Sequence, residues 1–247
     1  MDFVTRRGFR GSVKLSEKLP PRKRAPARNK ENGDPKECPP EIEARLLPIV
    51  EALLVEHGYE KFNIRDAAKL AEMGSATIYK YFESKEYLSL RVARKVDERI
   101  SQLLSVHLDL EGSAHRQWRQ FYDCLFSIYD NDSAAAIIQN VAMPTYIWFL
   151  PESRWPVSLV RSQILHLIKK GRASGELDPD VSIMQMLAVH YMHTVREVRL
   201  WHTRKRRWPL ADRVDRFFPV LWKTISAPVG PGENMQVFRA STPLADG

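Results

Sequence analysis

The chain has 247 residues, 44% of them hydrophobic, enough for one large domain or two small ones around a real core. No apolar run approaches the roughly 18–20 residues that a membrane-spanning helix needs, and only Cys38 and Cys124 occur, so a membrane-spanning helix and a disulfide framework are both excluded. The N-terminus is basic without the apolar stretch of a secretion signal, and the simplest location is the cytoplasm.

The net charge of +8 is unevenly placed. Residues 1–40 hold 11 Lys/Arg against 5 Asp/Glu, a balance of +6, whereas residues 41–86 hold 6 against 9, a balance of −3. Residues 1–39, with Pro20-Pro21-Arg22-Lys23-Arg24-Ala25-Pro26, cannot pack a core and read as a basic disordered tail. Pro39-Pro40 can open a first helix, in which Ile42, Leu46, Ile49 and Leu53 recur at helical spacing. Pro48 falls inside it, removing a backbone bond at a cost of about 3 kcal/mol if uncompensated, so a kink or a late start is expected there.

The next segment, Asn63 to Tyr87, has the punctuation of a helix-turn-helix. Asn63 can cap a helix, with Asp66 as a capping-box-like partner. Ile64, Ala67, Ala68 and Ala71 make a small apolar face that admits a second helix closely. A break follows at Glu72–Gly74, then a short helix from Ser75 to Phe82. Its Ile78 and Phe82, four apart, face inward, leaving Ser75, Ala76, Thr77, Tyr79, Lys80 and Tyr81 outward. That face is small at the front, hydrogen-bonding along its length, and aromatic and basic at the back, which suits a DNA major groove.

Residues 46–90 resemble the DNA-binding domain of the tetracycline-repressor (TetR) family of bacterial transcription regulators. The resemblance is carried by Glu56-His57-Gly58-Tyr59, Asn63-Ile64-Arg65-Asp66-Ala67-Ala68, Ala76-Thr77-Ile78-Tyr79-Lys80-Tyr81-Phe82 and Ser84-Lys85-Glu86-Tyr87-Leu88. It implies that Arg65 reaches DNA from the second helix. It also implies that Ser75, Ala76, Thr77, Tyr79, Lys80 and Tyr81 line the recognition helix, and that Lys85 meets a phosphate. Lys80 and Arg65 are the candidates for base contact, Thr77 offers a hydroxyl or methyl, and Tyr79 and Tyr81 suit phosphates. Three departures stand out: Glu72 where the family usually has Gly, Gly74 where it has Ser or Thr, and Pro48 inside the first helix.

Beyond Ser84, a candidate N-cap, a long helix runs to about Leu108 with Leu88, Val92, Val96, Ile100, Leu103 and Leu104 on one side. Further helices are predicted at about 113–130, 133–148, 157–173, 180–203 and 210–226, separated by Asn131-Asp132, Pro151 with Pro156, Gly175-Glu176-Leu177-Asp178-Pro179 and Arg207-Trp208-Pro209. Residues 227–247 read as a loose end. The fold class is therefore all-α: a tail over 1–39, a helix-turn-helix domain over 40–86 and a helical regulatory and dimerisation domain over 87–226.

Tyr122, Phe126, Tyr129, Met143, Tyr146, Trp148 and Phe149 form an aromatic and Met stripe, a pattern most often found in cores. By the resemblance the same region encloses an effector cavity, to which His166, Met186 and His190 can add polar or soft contacts, and a mainly apolar effector is expected. His190 and His193 sit at a spacing compatible with a metal, but no third ligand is evident, so no metal and no cofactor are expected. Trp201-His202-Thr203-Arg204-Lys205-Arg206-Arg207-Trp208 can bind nucleic acid, although a place at the far end of the dimer helices favours a solvated terminus where cations suit the helix dipole. No Gly-x-Ser-x-Gly, His-Glu-x-x-His, phosphate-binding Gly loop or Cys-x-x-Cys occurs, and the chain reads as a non-enzyme without catalytic residues.

The resemblance implies a homodimer on a palindromic double-stranded DNA operator, released by a small-molecule effector, with the last two helices of each subunit as the dimer interface. A protein-interaction module of the same fold without an effector is the alternative, which a fully packed regulatory domain would favour. Since DNA affinity leans on phosphate neutralisation, the basic tail reads as an arm along the DNA backbone or in a minor groove; the alternatives are a solvated disordered leader or a start codon misassigned upstream of the true one.

Overall fold

A computed structural model describes residues 38–107, 111–143 and 158–228; among them the fold is all-α, with one isolated antiparallel bridge between Leu177 and Ser226. Tyr146, Trp148 and Phe149 of the aromatic stripe lie outside the described residues, as do the basic tail to Glu37 and the C-terminus from Val229.

α1 spans Pro40–Lys61, with Pro40 in the first turn, where its missing N–H costs nothing, and Glu41 and Glu43 beside the positive end of the helix dipole. Contrary to expectation, Pro48 neither kinks α1 nor delays its start. The only non-helical backbone inside α1 is at Gly58, with φ 73° and ψ 168°. Pro48 and Ala44, whose carbonyl loses its partner, are both exposed, so that carbonyl faces solvent instead of a dry interior. The buried stripe is Leu46, Leu47, Val50, Leu53 and Leu54, rotated slightly from the expected one, with Ile42 and Ile49 at its margin.

α2 (Ile64–Leu70) and α3 (Ser75–Tyr81) complete a small three-helix unit. Ala67, Ala68 and Ala71 are at most 2% exposed, and their small side chains let α2 approach its neighbours closely. Asn63 Oδ1 accepts from the Asp66 N–H at 2.9 Å, as a cap should; the Asp66 carboxylate bonds the Asn63 side-chain amide, a side-chain variant of the capping box.

α4 (Lys85–His107) joins this unit to the rest of the protein. The Ser84 hydroxyl caps it by accepting from the Tyr87 N–H at 3.1 Å. Leu88, Val92, Val96, Ile100 and Leu104 are buried as expected, but Leu103 is 41% exposed, because at that register it has rotated off the buried stripe.

The larger helical region follows: α5 (Ala114–Asn131), α6 (Ser133–Ile137), α7 (Leu159–Ala173), α8 (Ile183–Thr203) and α9 (Val214–Ile225), the last preceded by a 3₁₀ turn at Ala211–Arg213. α6 is not the start of one regular helix to 148. It widens into a π-helical turn at Ile138–Ala142, and such turns recur at functional positions. α5 lies at the centre, packed against α4, α6, α7 and α9. Its buried Trp118, Phe121, Tyr122, Phe126 and Tyr129 form an aromatic core, in which Tyr122 and Phe126 meet Phe217 and Phe218 of α9 edge-on or tilted.

The loop after α7 ties three helix ends together. The Glu176 carboxylate accepts from the Ala114 and His115 N–H groups at the start of α5 (2.7 and 3.1 Å), and these bonds hold it below the usual carboxylate range despite partial burial. The backbone of residues 176–178 pairs with that of Ile225–Ala227 at the end of α9. Gly171 permits this: a Cβ there would lie 2.7 Å from the Leu177 side chain.

Candidate functional site

On α3, Ile78 and Phe82 are 0% and 1% exposed and anchor the helix, so the opposite face must project outward. Ala76, Tyr79 and Lys80 are exposed, Tyr79 by 53%, and Ser75 and Thr77 are half-buried beside them. Tyr81 differs from the rest: it packs partly against the core, and the Lys80 ammonium lies 5.2 Å from its ring centre. Arg65 is exposed on α2. Lys85 is drawn toward the end of α1, where its Nζ donates to the Glu60 carbonyl at 3.2 Å and lies 4.6 Å from the Tyr59 ring centre. An ammonium has three donors, so this bond leaves two for a phosphate.

Glu72 occupies the turn between α2 and α3 with φ 48°. A residue other than Gly adopts this left-handed backbone at a cost of about 1 kcal/mol or more, which gives the family's preference for Gly here its physical reason. Arg45 of α1 holds the turn, donating to the Glu72 carbonyl at 3.1 Å and meeting its carboxylate at 3.4 Å. The side chain is thereby drawn back to α1. Arg45 was not singled out by sequence reasoning, because nothing local links it to a residue 27 positions away.

Two charged clamps fix α4 to α1. Arg91 makes a two-pronged bond to Glu43, at 2.6 and 2.8 Å. Arg99 reaches Glu51 at 2.9 Å and Asp132 at 2.8 Å, and Asp132 in turn caps α6 by accepting from the Ala135 N–H. One guanidinium thus joins the helix-turn-helix unit, the linking helix and the larger region.

That larger region holds a cavity of about 390 Å³, within the range of small-molecule sites. Its wall is largely apolar, with Leu125, Val160, Ile164, Leu187 and Met192, and is punctuated by Asp97, Tyr129, Gln139, Arg161, His190 and Thr194. Of the residues expected in an effector pocket, Tyr129 and His190 line this cavity. Tyr122 and Phe126 lie behind it in the aromatic core, and Met143 and Met186 are buried without reaching it. His166 is exposed on α7 and takes no part in this cavity, since its register faces away from Ile164 and Leu167.

His190 is held by a hydrogen bond from the aromatic core. Burial pushes the Tyr122 phenol well above its usual range, so it stays protonated, and its hydroxyl shares a hydrogen bond with His190 Nδ1 at 2.8 Å. Burial, with His193 nearby, lowers the His190 pKa to about 3, which keeps the ring neutral. The described residues hold no group of three or more His, Cys, Asp or Glu able to bind a metal.

Asp97 is among the cavity residues that sequence reasoning missed. It lies on the buried side of α4, and its carboxylate accepts from Ser158 Oγ and the Leu159 N–H, both at 2.6 Å. These bonds fasten α4 to the start of α7 and counter the burial that raises the carboxyl's pKa. The available signal was a lone acid four residues after Ala93 and three before Ile100, inside an apolar stripe.

An exposed short helix on a helix-turn-helix, joined by one long helix to an all-α region with a cavity, defines a DNA-binding transcription regulator. Residues 51–92 match the family model of the bacterial regulatory proteins of the tetR family. Its fold is shared by the fatty acid degradation regulator FadR of Bacillus halodurans, at TM-score 0.61 and 16% identity, over 76% of this chain and 97% of that one. FadR of Bacillus subtilis, solved in complex with stearoyl-CoA, aligns at TM-score 0.57 and 15% identity over 72% and 96%. A TetR family transcription regulator of Marinobacter aquaeolei VT8 aligns at TM-score 0.55 and 18% identity over 76% and 96%. No curated protein matches the chain by sequence.

Proposed function

We propose that this regulator is a homodimeric repressor that holds a palindromic operator and leaves it when a small, mainly apolar effector fills the cavity. In this reading α3 of each subunit enters the major groove of one half-site. Lys80 and Arg65 contact bases or adjacent phosphates, Thr77 offers its hydroxyl or methyl, and Tyr79, Tyr81 and Lys85 fix the register on phosphates. The exposed Met192 and Val220 on the last two helices support a subunit interface there.

The observation that carries the reading is Asp97, which lines the cavity from α4 while bonding the start of α7. An effector that repacks the cavity wall shifts α4, and the clamps at Arg91 and Arg99 pass the shift to α1. The spacing of two recognition helices then misfits the operator. The largely apolar wall favours a ligand with a hydrocarbon or aromatic body over a highly polar one, and the stearoyl-CoA complex of a protein with this fold agrees with that preference. A cavity of this size also favours an effector over a purely protein-responsive module.

The test is selection of genomic fragments by the purified protein at near-physiological salt, followed by titration of the recovered operator with apolar ligand classes. A palindromic motif whose affinity falls on addition of one ligand supports the proposal. DNA retained without a shared motif, or no ligand that weakens binding, refutes it.

A further inference from the structure

α8 ends at Thr203, and the chain then turns through Arg204, Lys205, Arg206 and Arg207, all four exposed. The turn is tightly held. The N–H groups of Lys205 and Arg206 donate to the carbonyls of His202 and Trp201 at 3.0 and 2.9 Å, and the Trp201 indole donates to the Trp208 carbonyl at 2.9 Å. The Arg206 guanidinium lies 6.0 Å from the Trp201 ring centre and donates to Ser133 Oγ at 2.7 Å. Lys205 and Arg206 both have left-handed backbone, at φ 58° and 54°, where Gly or Asn would fit with less strain. Strain of this kind persists only where the surroundings over-determine the backbone, and it concentrates at functional positions.

The turn does not lie at the far end of the molecule, as its place after a long helix suggests. It docks on Ser133, at the start of α6. The adjacent Asp132 holds Arg99, which holds Glu51 of α1. The four cations therefore sit at the end of the larger region that adjoins the helix-turn-helix unit. The nearby acid Glu197 is already occupied by Arg196 and Arg213, and residues 41–86 carry a balance of −3. An acidic reading domain beside a rigid cationic turn suits a duplex that needs neutralising along its backbone.

We infer that the Arg204–Arg207 turn is a second contact for double-stranded DNA, gripping phosphates outside the stretch read by α3. It rests on the reading of this chain as a DNA-binding regulator. Guanidinium forks match phosphate oxygens in pairs, and contacts of this kind add affinity without base preference.

The test compares the full-length protein with a variant carrying Arg204→Gln, Lys205→Gln and Arg207→Gln, leaving Arg206 to hold the turn. Binding to the recovered operator and to random duplex is measured over a salt series. The slope of log K against log salt should become shallower by roughly 0.9 for each phosphate no longer neutralised, with equal fold-losses on both DNAs. Should the triple variant fold poorly, Arg204→Gln and Arg207→Gln taken singly must each flatten the slope. A slope and affinity equal to the unmodified protein's overturn the inference while leaving the regulator intact. Failure of the unmodified protein to retain any duplex overturns both.

Discussion

Tyr79 and Lys80 stand side by side on the exposed face of α3, and the proposed function gives them different chemistry. A phenol donates to phosphates and fixes register, whereas an ammonium reaches base edges. Tyr79→Ala should therefore weaken operator and random duplex alike, while Lys80→Ala should relax preference at one base position by about 1–3 kcal/mol. Equal losses on both DNAs from both changes would refute this division. His190 makes a second prediction at this scale. Its folded pKa, about 3, lies below the ordinary 6.5, so the unfolded chain binds the extra proton between those values. Stability contributed by the neutral ring is present above pH 6.5 and is lost as pH falls, by at most about 1.4 kcal/mol per pH unit. His190→Gln should thus lose less stability than the unmodified protein on going from about pH 7 to about pH 5, read from urea midpoints. Parallel losses would show that the histidine is hydrated.

Between elements, contacts far apart in sequence decide what moves together. α4 is tied to α1 through Arg91 and Arg99, to α6 through Asp132 and to α7 through Asp97. A helix held at so many points transmits a displacement as a unit. At the opposite end, Gly171 lets Leu177 lie against α7, closing the loop that joins α5, α7 and α9. Gly171→Ala places a methyl 2.7 Å from a buried side chain. The gain of about 1 kcal/mol in helix propensity should be outweighed by overpacking of about 1–3 kcal/mol, lowering the thermal midpoint. A raised midpoint would mean that Leu177 finds another rotamer.

For the whole molecule, the proposed release of DNA by an effector is one coupling free energy, so an effector that acts this way should weaken DNA binding by the same factor as DNA weakens effector binding. Charge is also distributed at this scale: an acidic reading domain, a basic turn beside it and a basic tail before it. If the tail is an arm on the duplex, removing residues 1–38 should flatten the salt dependence of binding by roughly 0.9 for each phosphate the arm had neutralised. An unchanged slope would leave the tail as a solvated leader.

Local chemistry wrote much of this protein into its sequence. Asn63, Ser84 and the period of Ile78 and Phe82 announce caps and a buried edge within a few residues of one another, so the helix-turn-helix was legible. The helix breaks at Asn131-Asp132 and Gly175–Pro179 were legible for the same reason. What escaped depends on partners distant in sequence. Pro48 is tolerated because its neighbours face water, and Glu72 holds its left-handed turn with Arg45 against it. Asp97 matters through Ser158, and the cationic turn through Ser133. Caps and periodicity act within a few residues, so the helices and the outward face of α3 could be read directly from the order of amino acids. Which side chains wall the cavity, and which end of the molecule the Arg204–Arg207 turn adjoins, emerged only on packing, because burial and long-range ion pairs arise when the helices meet.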